Sequence, residues 1–110
     1  MALLRATISK LTATGQVYVG SGHLLGLLVG HDYANDPIVS LYDNIAAAGT
    51  EIIPTTKVDA SAFGFNGFMP GTISIPFTVG LYLELTTGGN AEILVYYRPD
   101  GTTLPSKMIR

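Results

Sequence analysis

The sequence predicts an all-β fold, an antiparallel two-sheet sandwich or jelly roll of about seven to eight strands. Thirteen glycines and six prolines interrupt the chain at short intervals. The runs between them are rich in valine, isoleucine, leucine, threonine and tyrosine, the residues that favour strands. Many short strands at even spacing are typical of a sandwich or a jelly roll. A chain of 110 residues fits one domain, which we place at residues 1–110.

Seven segments of the chain have strand character. In order they are Leu3–Leu11, Gln16–Val19, Gly22–Gly30, Pro37–Asp43, Glu51–Val58, Ile73–Leu85 and Ala91–Arg98. The third segment is apolar at almost every position, which is typical of a central strand or of a strand covered by a neighbouring subunit. The sixth alternates between apolar residues and others with a period of two. Because Pro76 cannot donate a ladder hydrogen bond, the sixth segment should be an edge strand, a bulged strand, or two strands joined at Val79–Gly80.

We expect the last two segments to form a hairpin through a three-residue loop at Gly88–Asn90. This loop length places Leu85 opposite Ile93, so that apolar residues share one face. A two-residue loop would instead place Leu85 opposite Glu92 and would mix the core and solvent faces.

The chain has few charges for its size. Only 13% of the residues are charged and 47% are hydrophobic, whereas about 25% charged residues is usual for a soluble domain. A small domain leaves about a third of its unfolded-chain surface exposed, so much of this surface must be apolar. A monomer tolerates only limited apolar patches. The composition therefore predicts a homo-oligomer.

Several classes of function are disfavoured by composition. The chain has no cysteine, which removes disulfides and thiolate sites, and its net charge is −2 with six dispersed basic residues. Nucleic-acid binding needs a concentrated basic patch, so we expect no nucleic-acid partner. The longest apolar stretch, Leu24–Val29, is far below the ~20 residues that span a bilayer, and Arg5 and Lys10 interrupt any signal-peptide core. We expect no membrane partner and no cofactor.

Two polar clusters contain possible metal ligands. Asp32, Asn35 and Asp36 could offer oxygen ligands to a hard cation such as calcium, but their spacing matches no EF-hand loop and the same residues beside a proline are ordinary turn chemistry. We interpret this segment as a turn and leave cation binding open. His23 and His31 have no evident third ligand for zinc, so no metal site is predicted.

No catalytic residues are predicted, and we expect the protein not to be an enzyme. Ser21 and His23 lie close in sequence, but they lack the Gly-x-Ser-x-Gly turn between strand and helix that exposes a nucleophile. Glu84 and Glu92, if near each other across the hairpin, could imitate a glycosidase pair. We interpret them as marking the hydrated face of the sheet.

The segment Ala60–Leu83 has no charged residue and contains a loop of phenylalanines separated by glycines. This loop could fold back and plug the end of the sandwich, or it could supply anchors for a protein interface. Aromatic residues and methionine are enriched at the buried centres of interfaces, where charges are depleted. We therefore favour an interface, and its candidate residues are Phe63, Phe65, Phe68 and Met69.

A further set of motifs resembles a known family. The motifs are Val39–Asp43, Ala46–Thr50, Gly80–Tyr82 and the closing strand Ala91–Tyr97. In this order of elements, residues 15–99 resemble the small β-sandwich proteins encoded among the virion structural genes of tailed bacteriophages.

The resemblance implies a capsid cement or decoration protein, commonly a trimer. Its partner would be the major capsid protein, and its location the capsid surface of the virion after synthesis in the host cytoplasm. The resemblance transfers no catalytic residue, and the loop Phe63–Phe68 has no counterpart in it.

Two alternatives to a capsid protein remain. The first is a carbohydrate- or receptor-binding β-module of a phage tail or fibre, with tyrosines as stacking groups: Tyr33, Tyr42, Tyr82, Tyr96 and Tyr97. The second is a small hydrolase, which needs a convergent polar pocket that the sequence does not supply.

Overall fold

The structure is a computed structural model that describes residues 7–31, 35–58, 65–68, 74–87 and 89–100, the segment 65–68 through its backbone alone. These residues form two antiparallel sheets, which confirms the predicted all-β sandwich class. The nine strands within them are β1 Thr7–Leu11, β2 Gly15–Val19, β3 Gly22–His31, β4 Ile38–Tyr42, β5 Glu51–Lys57, β6 Phe65–Phe68, β7 Ile75–Phe77, β8 Gly80–Thr86 and β9 Ala91–Pro99. None of the described residues belongs to a helix long and apolar enough to cross a membrane.

The first sheet, sheet A, has the order β1-β9-β3, and two short strands share the far edge of β3. Strand β6 pairs with residues 27–30 of β3, and β7 pairs with residues 22–24. Sheet A therefore contains five strands but is four strands wide. The second sheet, sheet B, has the order β2-β8-β4-β5.

The core lies between the sheets and is built from every second residue of their central strands. The inward apolar side chains of β8 and β9, all at most 9% exposed, are Leu81, Leu83, Leu85, Ala91, Ile93, Val95 and Tyr97. Burying one leucine side chain stabilises the fold by about 1.5–3 kcal/mol. A one-residue slip of either strand would expose its whole apolar set, so this alternation fixes the register.

Strand β3 reaches the same core through a β-bulge between Leu24 and Gly26. Leu24 and Leu27 are three residues apart, yet both are buried in the core because the bulge takes up one extra residue. Leu25, within the bulge, is 4% exposed but is not part of the core cluster. The predicted central position of this strand is confirmed, since β3 lies between β9 and the β6 and β7 pair.

The predicted hairpin between the last two segments is wrong. Strand β8 belongs to sheet B and β9 to sheet A, so the connection after β8 crosses from one sheet to the other. Leu85 and Ile93 both enter the core, but they do so from opposite sheets. An alternating pattern identifies which residues of a strand face the core. It does not identify the neighbouring strand, because inward residues can pack beside a strand of the same sheet or against a strand of the other sheet.

The remaining differences concern short strands. Of the three alternatives for the sixth segment, the structure has two separate strands, β7 and β8, on either side of Thr78–Val79. Part of the predicted phenylalanine loop forms β6, which raises the count to nine. The alternation that marks other strands is weak there, since Asn66 and Gly67 occupy its centre, and pairing to β3 defines the strand instead.

Candidate binding faces of the sandwich

The outer side of sheet A carries an apolar surface, which we call the sheet A face. It is formed by outward-pointing residues on three adjacent strands. Ile8 of β1 is opposite Tyr96 of β9, and Leu94 of β9 is opposite Leu28 of β3. Ile8 is 56% exposed, and the other three side chains are half-buried. Apolar surface on this side of the sheet is therefore continuous across three strands.

A shallow depression lies within the sheet A face. It has a volume of about 250 Å³ and is lined by Leu28, Gly30, Glu92 and Leu94. Gly30 is opposite Glu92 in the ladder and contributes no side chain, which leaves the space open. At its margin Lys10 Nζ lies 3.5 Å from Glu92 Oε2, with both side chains more than half exposed. Such a surface pair contributes about 0–1 kcal/mol, but it leaves the margin electrically neutral.

The outer side of sheet B has different chemistry, and we call it the sheet B face. Ser40 and Tyr42 on β4 are opposite Glu84 and Tyr82 on β8. The Ser40 hydroxyl donates to Glu84 Oε1 at 3.3 Å, and the Tyr42 hydroxyl donates to the same oxygen at 3.2 Å. Ser40 is 2% exposed although it points away from the core. The Glu84 carboxylate is thus held in place by two hydroxyl groups.

A second carboxylate makes the sheet B face acidic. Glu51 of β5 is opposite Tyr42 and accepts a 2.9 Å hydrogen bond from the Thr55 hydroxyl. The neighbouring Ser40 hydroxyl lowers the pKa of Tyr42, but desolvation, the hydrogen bond to Glu84 and the negative charges of Glu84 and Glu51 outweigh this and raise it above its ordinary value. The Tyr42 hydroxyl therefore stays protonated and remains a donor.

The ion pairs among the described residues do not neutralise these two carboxylates. They join Lys10 with Glu92, His23 with Asp100 and Lys57 with Asp36. The sheet B face therefore keeps its negative charge within the described part of the chain, unlike the neutral margin of the sheet A face.

A third polar site lies at one end of the sandwich, where Asp43 follows β4. Its carboxylate accepts hydrogen bonds from the backbone N–H groups of Thr78, Val79 and Gly80 at 2.8–3.2 Å. The Thr78 hydroxyl donates to it as well. Desolvation raises the pKa of Asp43, but these donors lower it more, so that it lies below its ordinary value. We call this arrangement the Asp43 clamp.

The Asp43 clamp holds the turn between β7 in sheet A and β8 in sheet B. A Cβ atom on Gly80 would lie 2.6 Å from the Tyr18 carbonyl oxygen, so only glycine fits where the turn enters β8. The carboxylate occupies the concave row of amides that successive backbone N–H groups form. Its role is structural, because its oxygens are already used inside the protein.

The structure separates the tyrosines that the sequence grouped as possible stacking residues. Tyr42 and Tyr82 are cross-strand partners on the sheet B face, and Tyr96 lies on the sheet A face. Tyr97 is 5% exposed and its ring centroid lies 5.4 Å from that of Tyr18, so it belongs to the core and is not available to a ligand. Tyr33 lies outside the described residues.

The other predicted site residues have varied positions. Glu84 and Glu92 lie on different sheets, so the possible pairing of these carboxylates across a hairpin is wrong. Phe65 and Phe68 begin and end β6, where they are opposite Gly30 and Leu27. Phe63 and Met69 lie outside the described residues, so the candidate interface stays a prediction.

The possible cation ligands are only partly described. Asp32 lies outside the described residues, whereas Asp36 Oδ2 is 3.7 Å from Lys57 Nζ. Over residues 7–31, 35–58, 74–87 and 89–100, no three histidine, aspartate or glutamate side chains are grouped so as to hold a metal ion. The sequence did not reveal the contact of Ser40 and Tyr42 with Glu84, because that contact depends on which strands are neighbours.

The chain matches no protein-family model, no curated protein and no solved structure. The resemblance to phage virion proteins therefore remains a sequence-based expectation.

Proposed function

We propose that this protein is a structural subunit that self-associates through the sheet A face and acts as a capsid cement or decoration protein. The observation that supports self-association is the apolar surface formed by Ile8, Leu28, Leu94 and Tyr96. Aromatic and aliphatic side chains in this arrangement are the usual centre of a protein interface. The capsid partner and the trimeric state rest on the resemblance of residues 15–99 to virion proteins.

The proposed function requires a large buried interface area and no catalytic group. A standard interface buries about 1,600 Å² in total, and subunits bound in many symmetric copies gain from avidity. A protein that binds the intact shell more tightly than its separated parts stabilises the shell according to its occupancy and affinity. Phe63, Phe65, Phe68 and Met69 are proposed as additional anchors of these contacts.

Two measurements test the proposal in sequence. Sedimentation velocity over a micromolar concentration series should show an oligomer, with three copies expected from the resemblance. The purified protein, added to capsids that lack it, should then bind with saturable, symmetric stoichiometry and should raise the temperature at which the shells open.

The two parts of the proposal fail separately. A monodisperse monomer at micromolar concentration would reject self-association, whereas a dimer would reject only the trimer. An oligomer that does not bind shells but binds a polysaccharide or a cell surface would support the receptor-binding alternative.

The phenylalanine anchors have their own test. Replacing Phe65 by alanine should weaken assembly by ~2 kcal/mol or more if it is an interface anchor, and the melting temperature of the dissociated subunit should stay unchanged. A lower melting temperature with unchanged assembly would show instead that Phe65 fills the interior.

A further inference from the structure

We propose that the sheet B face binds a basic side chain, an arginine guanidinium or a lysine ammonium, presented by a partner protein. The site consists of Tyr42, Tyr82, Glu84 and Glu51, with Ser40 beneath Glu84 as a support. It lies on the opposite side of the sandwich from the sheet A face, so it is a second binding surface and not part of the proposed self-association.

The two tyrosines provide aromatic surface beside a fixed carboxylate. Tyr42 and Tyr82 are direct cross-strand partners, a relation that brings Cβ atoms to about 4.5–5.5 Å. Both side chains are half-buried, so each ring keeps an accessible part. A cation within about 6 Å of a tyrosine ring is attracted by the negative face of the ring.

The Glu84 carboxylate is held in a fixed position before any ligand binds. Both hydroxyl donors, Ser40 and Tyr42, bond to Oε1. Among the described residues, these bonds leave Oε2 to accept a further donor. A carboxylate held in place in this way loses little freedom when it receives a second partner, which favours binding.

The charge of the face decides between a cation and a neutral ligand. Both carboxylates adjoin Tyr42, since Glu51 is its cross-strand partner and Glu84 Oε1 lies 3.2 Å from its hydroxyl. Neither takes part in the ion pairs of the described residues. A sugar could stack on the tyrosines and donate hydroxyls to the carboxylates, but it would leave both charges uncompensated, whereas a cation adds Coulomb attraction to its hydrogen bonds.

The direct test is a peptide titration followed by NMR on the full-length protein. The probes are an acetylated and amidated Gly-Arg-Gly peptide and its counterpart with citrulline, which keeps the shape and removes the charge. We expect the arginine peptide to shift the backbone amides of Tyr42, Tyr82 and Glu84 in a saturable manner. The citrulline peptide should bind at least about tenfold more weakly, because the charge supplies the recognition.

Matched variants separate the carboxylate from the ring. Glu84→Gln should weaken arginine binding about tenfold, whereas Glu92→Gln, a change of the same type on the sheet A face, should leave it unchanged. Tyr82→Phe should keep most of the affinity and Tyr82→Ala should lose it, since the ring face and not the hydroxyl makes the contact. Unchanged amide spectra away from the site show that each variant is folded.

Three outcomes overturn the proposal. They are the lack of saturable shifts at Tyr42, Tyr82 and Glu84, equal binding of the arginine and citrulline peptides, and saturation of these amides by a neutral oligosaccharide but not by arginine. The third outcome would assign the face to a glycan. None of them affects the sedimentation result, so failure here is distinct from failure of the proposed self-association.

Discussion

The outer face of sheet A presents Ile8, Leu28 and Leu94, whereas the outer face of sheet B presents Tyr42, Tyr82 and Glu84. Both faces belong to strands that alternate with the same period and bury similar aliphatic residues inward. The difference lies only in the outward positions. Those positions are free of the packing requirement that fixes the core, so their chemistry can differ from one face to the other.

The two faces also differ in how they should respond to solution conditions. Apolar contact depends on buried area, whereas an exposed charge interaction is weakened by salt.

Leu94→Glu should abolish self-association. The side chain lines the depression of the sheet A face, and a carboxylate desolvated in the contact there would weaken association more than about 100-fold, even with Lys10 opposite it on β1. Sedimentation should show a folded monomer, and the arginine peptide should still bind the sheet B face. A Leu94→Glu protein that remains oligomeric would place the interface elsewhere.

Asp43→Ala should affect both faces equally, because the Asp43 clamp holds the turn between the two sheets. Loss of a charged acceptor for three backbone amides should lower the free energy of unfolding by about 2 kcal/mol. Chemical denaturation of the variant and of Glu92→Gln, an exposed carboxylate control, measures the difference. An effect no larger than that of Glu92→Gln would show that the clamp adds little to stability.

The contribution of Asp43 to the free energy of unfolding should depend on pH. In the folded protein the amides hold the pKa of Asp43 below its ordinary value. Its stabilising contribution is therefore complete above the unfolded-chain value of about 4 and is lost as the pH falls through the lower folded value. The stability difference between the natural protein and Asp43→Ala should shrink over that acidic range. A difference that is constant with pH would contradict the assigned charge.

Ile8→Lys and Ile45→Lys form a matched pair, because the two isoleucines are 56% and 58% exposed. Ile8 lies on the sheet A face, while Ile45 lies in the connection after β4. Loss of one apolar contact of about 1.5 kcal/mol should weaken self-association roughly tenfold for Ile8→Lys. Equal effects of the two substitutions in a sedimentation titration would argue against a specific interface at Ile8.

Salt concentration should have the smallest effect of these changes, and its effect should differ between the two faces. From about 50 mM to about 500 mM NaCl, self-association should change less than about twofold, while arginine-peptide binding should weaken about fivefold. Isothermal titration of the peptide and dilution calorimetry of the protein measure both quantities. Salt-sensitive self-association would mean that charged pairs such as Lys10–Glu92 contribute to the interface.

The sequence was sufficient for the fold class because the inward positions obey a period of two. Pro76 and the Val79–Gly80 step also indicated a break as one of three alternatives, and β7 and β8 are separate strands. It was not sufficient for strand neighbours, since the apolar faces of β8 and β9 pack equally well across a core as within a sheet. The predicted hairpin failed for that reason.

The candidate sites were also only partly predictable, because they depend on which strands are neighbours. The tyrosines were recognised as possible ligand groups, but their division between core and surface was not, because Tyr96 and Tyr97 are adjacent and point to opposite sides of one strand. Ser40 and Glu84 are distant in sequence and meet only through the pairing of β4 with β8. Asp43 offered a weak signal, an aspartate directly after a strand, but its amide donors come from a different part of the chain.

The pairing of β1 with β9 bears on how the protein is made. Thr7 is opposite Tyr97, so the first described strand finds its partner only in the last one. Such distant pairing gives a high contact order, for which folding is slow because long loops must close before any contact forms. Sheet A therefore cannot be completed before β9 has been synthesised, and until then the apolar strand β3 lacks its central neighbour and is open to aggregation.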